Sequence, residues 1–85
     1  MEYGIGKEME KESIIIIREW EKHFNRDIVE LEYYSSNKPH LGEYILHLGR
    51  EETLNREELQ YLFERFLFVT VGIDSGKLFV SLTRK

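Results

Sequence analysis

The stretch Val69-Thr70-Val71-Gly72-Ile73-Asp74-Ser75-Gly76-Lys77-Leu78-Phe79-Val80-Ser81-Leu82 decides how this chain folds. Val69, Val71 and Ile73 stand at every second position, as do Leu78, Val80 and Leu82. Period-two alternation marks two strands, each with one apolar face. For both sets to share a face, directly opposed residues must have numbers that sum to an odd value. Ile73 then faces Leu78, Val71 faces Val80 and Val69 faces Leu82. That register favours a two-residue loop, Ser75-Gly76, with Gly76 at positive φ. A three-residue loop would set Val71 opposite Phe79 and turn Ser81 and Thr83 inward. With the two-residue loop, Phe79 points away from the core.

Upstream lies the clearest helix start in the chain. Asn55 is a good N-cap and Glu58 stands at the N3 position, a capping-box variant. Leu54 and Leu59 frame it as a hydrophobic staple. Leu59, Leu62, Phe63, Phe66 and Leu67 then mark the expected buried face. No Gly or Pro separates this helix from the strand that follows, so its end is not marked.

A second hairpin precedes it. Val29, Leu31 and Tyr33 alternate with Ile28, Glu30, Glu32 and Tyr34. After the turn chemistry of Ser36-Asn37-Lys38-Pro39, Tyr44, Leu46 and Leu48 alternate with Ile45 and His47. A first helix is expected from about Lys7 to Phe24, with Ile16, Ile17, Trp20 and Phe24 on one face. The run Ile14 to Ile17 has strand propensity. Its charged flanks and the Trp20/Phe24 continuation decide for helix. Lys22 and His23 suit the helix C-terminus, and Asn25 suits a left-handed cap.

The order αββαββ with two hairpins gives an α+β class: one four-stranded antiparallel sheet with both helices on one face. The right-handed crossover rule selects the spatial order 3-4-2-1, a circular permutation of the ferredoxin-like layout. At 85 residues the chain is one domain. Residues 1–6 are expected as a loose terminus and residues 7–85 as the domain. The expected core takes Trp20, Val29, Leu46, Phe63, Val71 and Val80 among others.

The uncovered face is then expected to display Ile45, His47, Phe68, Thr70, Phe79 and Ser81, bordered by Ile28, Glu30, Glu32, Tyr34 and Thr83. Phe79 is expected at its centre, between Phe68/Thr70 and Ile45/His47. An apolar cluster with polar neighbours has the composition of an interaction surface. The expected function is therefore a small non-enzymatic protein-interaction domain that self-associates through this face as a homodimer. The alternative is a single-stranded nucleic-acid-binding module, with Phe68 and Phe79 stacking bases. Its basic rim would come from Lys38, Arg50, Lys77, Arg84 and Lys85. A net charge of −4 and glutamates on the same face disfavour it.

Catalytic and metal chemistry find little pattern. The chain has no cysteine, which excludes thiol catalysis and Cys-based metal sites. His23, His40 and His47 show no HxH or HExxH spacing. Glu30 is expected opposite His47 with Glu32 one step along, a carboxylate–imidazole arrangement that can orient a histidine or share a metal. The reading adopted is a cross-strand pair, with no catalytic residue, metal or cofactor assigned. Gly4-Ile5-Gly6-Lys7 lacks the spacing of a phosphate loop. No apolar run exceeds four residues, so neither a membrane span nor a signal peptide is expected. A cytoplasmic setting follows. Fourteen Glu against two Asp, with a single Gln, gives a thermophile-like composition.

Replacing Asn55 by Ala removes the acceptor for a first-turn amide. Denaturant unfolding of this variant should show a loss of about 0.5–2 kcal/mol; an unchanged midpoint would mean that the helix starts elsewhere.

Overall fold

The computed structural model describes residues 2–34 and 42–84, with backbone alone for residues 2–10. The expected turn Ser36-Asn37-Lys38-Pro39 and His40 lie outside the described residues. Six elements follow in order: α1 (Glu2–His23), β1 (Glu30–Tyr34), β2 (Glu43–Arg50), α2 (Arg56–Arg65), β3 (Phe68–Asp74) and β4 (Lys77–Thr83). The strands form one antiparallel sheet in the order β1-β2-β4-β3, which is the expected order. Ile17 and Trp20 of α1, Leu62 of α2 and Phe66 at its C-cap pack on Tyr44, Leu46, Val80 and Leu82 of the central strands.

The β3–β4 hairpin has the register that alternation requires. Ile73 pairs with Leu78, Val71 with Val80 and Val69 with Leu82. Ser75 (φ 53°) and Gly76 (φ 79°) form the loop between the paired residues Asp74 and Lys77. Positive φ at both loop residues matches the right-handed twist of the strands.

α1 begins at Glu2, ahead of the expected start near Lys7. Residues 2–6, expected as part of a loose terminus, are its first turns, and Gly4-Ile5-Gly6-Lys7 lies inside a helix. A glycine costs only about 1 kcal/mol in a helix interior, and Glu and Lys on either side favour the helix. Its end is tightly specified. Asn25 takes a left-handed conformation (φ 53°). The Asn25 amide donates to the Lys22 carbonyl at 3.3 Å, and the Arg26 amide to the Glu21 carbonyl at 2.8 Å. This pair of bonds is a Schellman motif.

That turn delivers Arg26 to the N-terminus of α2. Arg26 Nη2 donates to Glu58 Oε1 at 2.8 Å, and Nε donates to Glu58 Oε2. Arg26 also pairs with Glu52 at 3.2 Å and donates to the Thr53 carbonyl. Glu58 closes the capping box: its amide donates to Asn55 Oδ1 at 2.9 Å, and its carboxylate accepts from the Asn55 amide at 3.0 Å. The indole N–H of Trp20 donates to the Glu58 carbonyl at 3.1 Å.

These bonds turn α2 about its axis relative to the expectation. Glu58, Leu62 and Phe66 are buried, whereas Phe63 is 52% exposed and Leu67 is also exposed. Pinning Glu58 inward swings the Phe63 side toward water. Two further core assignments are corrected. Val29 is exposed and Ile28 is half-buried against the core. The Ile28 amide is taken by the Glu21 carboxylate at 2.7 Å, so strand alternation begins only at Glu30. Val71 is 42% exposed because β3 is an edge strand that the helices leave partly uncovered.

The Arg26 guanidinium holds the Glu58 carboxyl below the ordinary carboxylate range, against the opposing effect of burial. With a depressed folded pKa, the Glu58 contribution is complete above the unfolded value of about 4.3 and fades as pH falls through the folded one. Arg26→Ala should lower stability by about 3–5 kcal/mol, because it leaves a buried carboxylate unpaired. In Glu58→Gln the acid limb of a stability–pH curve should flatten. A curve that superimposes on the parent's would refute this role for Glu58.

Candidate functional site

The face of the sheet that the described residues leave uncovered is built as three ladders across the strands. Glu30, His47, Phe79 and Gly72 are successive partners in the first. Glu32, Ile45, Ser81 and Thr70 make the second, and Tyr34, Glu43, Thr83 and Phe68 the third. Alternation therefore places Ile45, His47, Phe68, Thr70, Phe79 and Ser81 on one face, as expected.

Their arrangement within that face differs from expectation. The direct neighbours of Phe79 are His47 and Gly72, and Phe68 lies across from Thr83, two ladders away. Phe79 and Ile45 are half-buried. The Phe79 ring occupies the space above Gly72: a Cβ there would come within 2.7 Å of Cε1 of the ring. A glycine inside a strand is a sequence signal for such a close approach. Together with the Ile73–Leu78 register, it was sufficient to find the contact. Phe79 thus covers its own sheet, whereas Phe68 is 63% exposed.

At the β1–β2 side the face is charged. His47 Nε2 contacts Glu32 Oε1, while the Tyr34 hydroxyl donates to Glu32 Oε2. Glu30 is the register partner of His47, yet the contact is made by Glu32, because long side chains reach diagonal neighbours. The Tyr34 hydroxyl and then His47 hold the Glu32 carboxyl below its usual range; the Tyr34 phenol is correspondingly raised by Glu32. The donor atoms of Glu30, Glu32 and His47 lie within 4.8 Å of one another. Beside them, the Ser81 hydroxyl donates to Glu43 at 3.0 Å.

The β3 edge is apolar, although its open face carries Phe68, Thr70 and Gly72 while Val71 and Ile73 point to the helix side. This seven-residue edge strand carries exposed Phe68, Val71 and Ile73, the last 72% exposed, with Leu67 just before it. Its only charged residue is the terminal Asp74.

A groove of about 420 Å³ is lined by Phe24, Arg26, Asp27, Glu52 and Glu58 among others, and Arg26 is engaged there by Glu52 and Glu58. Arg84, expected in a basic rim, is buried beside Gly42, and its guanidinium nitrogens have no partner among the described residues. Lys38 and Lys85 lie outside the described residues. His23 stacks on Tyr61 at 5.9 Å at the end of α1. Among the described residues no helix is long and apolar enough to cross a membrane.

The fold and face define the class: a two-layer α+β domain whose sheet has one face left open by the described residues, charged toward β1, and an edge strand β3 that exposes Phe68 on that face and Val71 and Ile73 on the helix side. No family model, curated protein or solved structure matches the chain.

Gly72→Ala forces a methyl group into the Phe79 ring and should destabilise the fold by about 1–3 kcal/mol. Phe79→Leu should relieve much of that loss. A double-mutant cycle with no coupling between the two positions would show that the ring does not depend on Gly72.

Proposed function

We propose that this chain is a small non-enzymatic protein-interaction domain that self-associates, and that the contact runs along β3. The observation that supports this most directly is the contrast between the two sheet edges. An edge strand presents unpaired N–H and C=O groups, which proteins ordinarily guard with charges, proline or bulges. β3 has none of these guards in its first six residues, Phe68 to Ile73. The sheet's bulge lies in β2, between His47 and Gly49.

A second copy fits β3 by its own pattern. Antiparallel pairing about Val71 sets Val71 against its counterpart, Val69 against Ile73 and Thr70 against Gly72. Asp74 then meets Phe68, so no like charges oppose one another. The same operation on β1 would bring Glu32 against Glu32, which is repulsive. Two-fold pairing of this kind would carry exposed Val71 and Ile73 out of water and extend the open face across both copies. Phe68 and Thr70 supply the part of that face nearest the contact. Phe79, Ser81, Ile45 and His47 lie progressively further from it.

The nucleic-acid reading is weakened by the carboxylates of Glu30, Glu32 and Glu43 on the open face and by the burial of Arg84. A cytoplasmic setting and a thermophilic source rest on composition alone.

Light scattering on size-exclusion fractions should give a dimer mass for the parent that is insensitive to salt. Val71→Lys should yield a folded monomer, with association weakened about 100-fold or more. A parent that stays monomeric at high concentration refutes self-association. A dimer that survives Val71→Lys but is lost in Phe79→Glu refutes the β3 contact and moves it to the open face. Oligonucleotide binding with a steep salt slope would favour the nucleic-acid module instead.

A further inference from the structure

We propose that Glu30, Glu32 and His47 form a binding site for one divalent transition-metal ion of the zinc class on the open face of the sheet. The site lies on β1 and β2, away from β3, and does not depend on self-association.

The first support is placement. Glu30 pairs across the strands with His47, and Glu32 is the next residue on the same face of β1. Two carboxylates and an imidazole therefore project from adjacent positions of paired strands on one side of the sheet. Their donor atoms lie within 4.8 Å of one another. A tetrahedral ion with bonds of about 2.0–2.2 Å needs its donors about 3.3 Å apart. A bound ion would take the place of the direct His47–Glu32 contact, parting those two donors and drawing Glu30 in.

The second support is charge. The Glu30 side chain makes no hydrogen bond or ion pair with the described residues, and among them Glu32 has only His47 as a cationic partner. With Glu43 on the third ladder, the β1–β2 side of the face carries three carboxylates. A dication bound by two carboxylates and a neutral imidazole leaves the site electrically balanced.

The third support lies just outside the donors. Glu32 Oε2 accepts the Tyr34 hydroxyl, leaving Oε1 directed to His47. An outer hydrogen bond of this kind holds a ligating carboxylate in orientation. The mixed nitrogen and oxygen donors select a zinc-class ion over Mg²⁺ or Ca²⁺, which prefer all-oxygen sets. Three protein donors leave a fourth position open toward solvent.

Equilibrium dialysis against ZnCl₂ tests the site with the full chain, its variants and a Mg²⁺ control. The parent should take up one Zn²⁺ that a chelator removes, and its melting temperature should rise with added Zn²⁺. His47→Ala and Glu30→Gln should each weaken binding by about 100-fold, and Tyr34→Phe by about 10-fold. Circular dichroism establishes that the variants fold. Should His47→Ala fail to do so, Glu30→Gln decides, since the Glu30 side chain is exposed and no ion pair is lost. The absence of Zn²⁺ uptake by the parent overturns the proposal. So does uptake unchanged in these variants, which would place the ion at another histidine, or equal competition by Mg²⁺.

Discussion

The carboxylate of Glu58 sits almost wholly out of water at the junction of three segments, and the surrounding structure is arranged to accept its charge. Arg26 meets it with two nitrogens, the Asn55 amide donates to it, and the Trp20 indole is tied to the carbonyl of the same residue. A carboxylate deprived of water is costly unless it is paired and fully hydrogen-bonded. The Schellman turn at Asn25 meets that condition by placing Arg26 against the start of α2. The end of one helix is thereby docked on the beginning of the other. The rotation of α2, and with it the exposure of Phe63, follows from this junction.

Strand alternation made most of the sheet legible. Odd-sum parity, the Ser75-Gly76 turn and the crossover rule together led to the observed order and hairpin register. The capping box at Asn55 and Glu58 was equally readable, because it is a local pattern. What escaped was non-local. Nothing near Arg26 in sequence announces that its partner is Glu58, and without that pair the buried stripe of α2 is naturally centred on its large apolar residues. Val29 and Ile28 were exchanged because the Glu21 carboxylate claims a backbone amide that alternation alone would give to a strand. On the open face, membership followed from alternation but arrangement did not: Phe79 was expected between Phe68/Thr70 and Ile45/His47, whereas its direct neighbours are His47 and the Gly72 beneath its ring.

The two edges of the sheet show how one small fold can separate two kinds of surface. β1 has glutamates on the open face, a glutamate–histidine contact and a tyrosine hydroxyl bonded to the carboxylate. β3 is β-branched, aromatic and uncharged until its last residue. Between them, Phe79 and Ile45 are shielded enough that the centre of the face is the less apolar part of the exposed surface. A contact at either edge therefore leaves the chemistry of the other accessible.

Strand order also bears on how the chain reaches its native state. β4 is the last strand in sequence, yet it lies inside the sheet between β2 and β3. The β1–β2 and β3–β4 hairpins can each form from nearby residues, but the sheet becomes continuous only when β4 finds β2. That pairing joins residues such as Leu46 and Val80, and its loop-closure entropy must be met before the hairpins can share a core. During synthesis, β2 consequently keeps one side unpaired until nearly the whole described chain has emerged. The interior seam of the finished sheet is thus an exposed edge in the nascent one until β4 arrives.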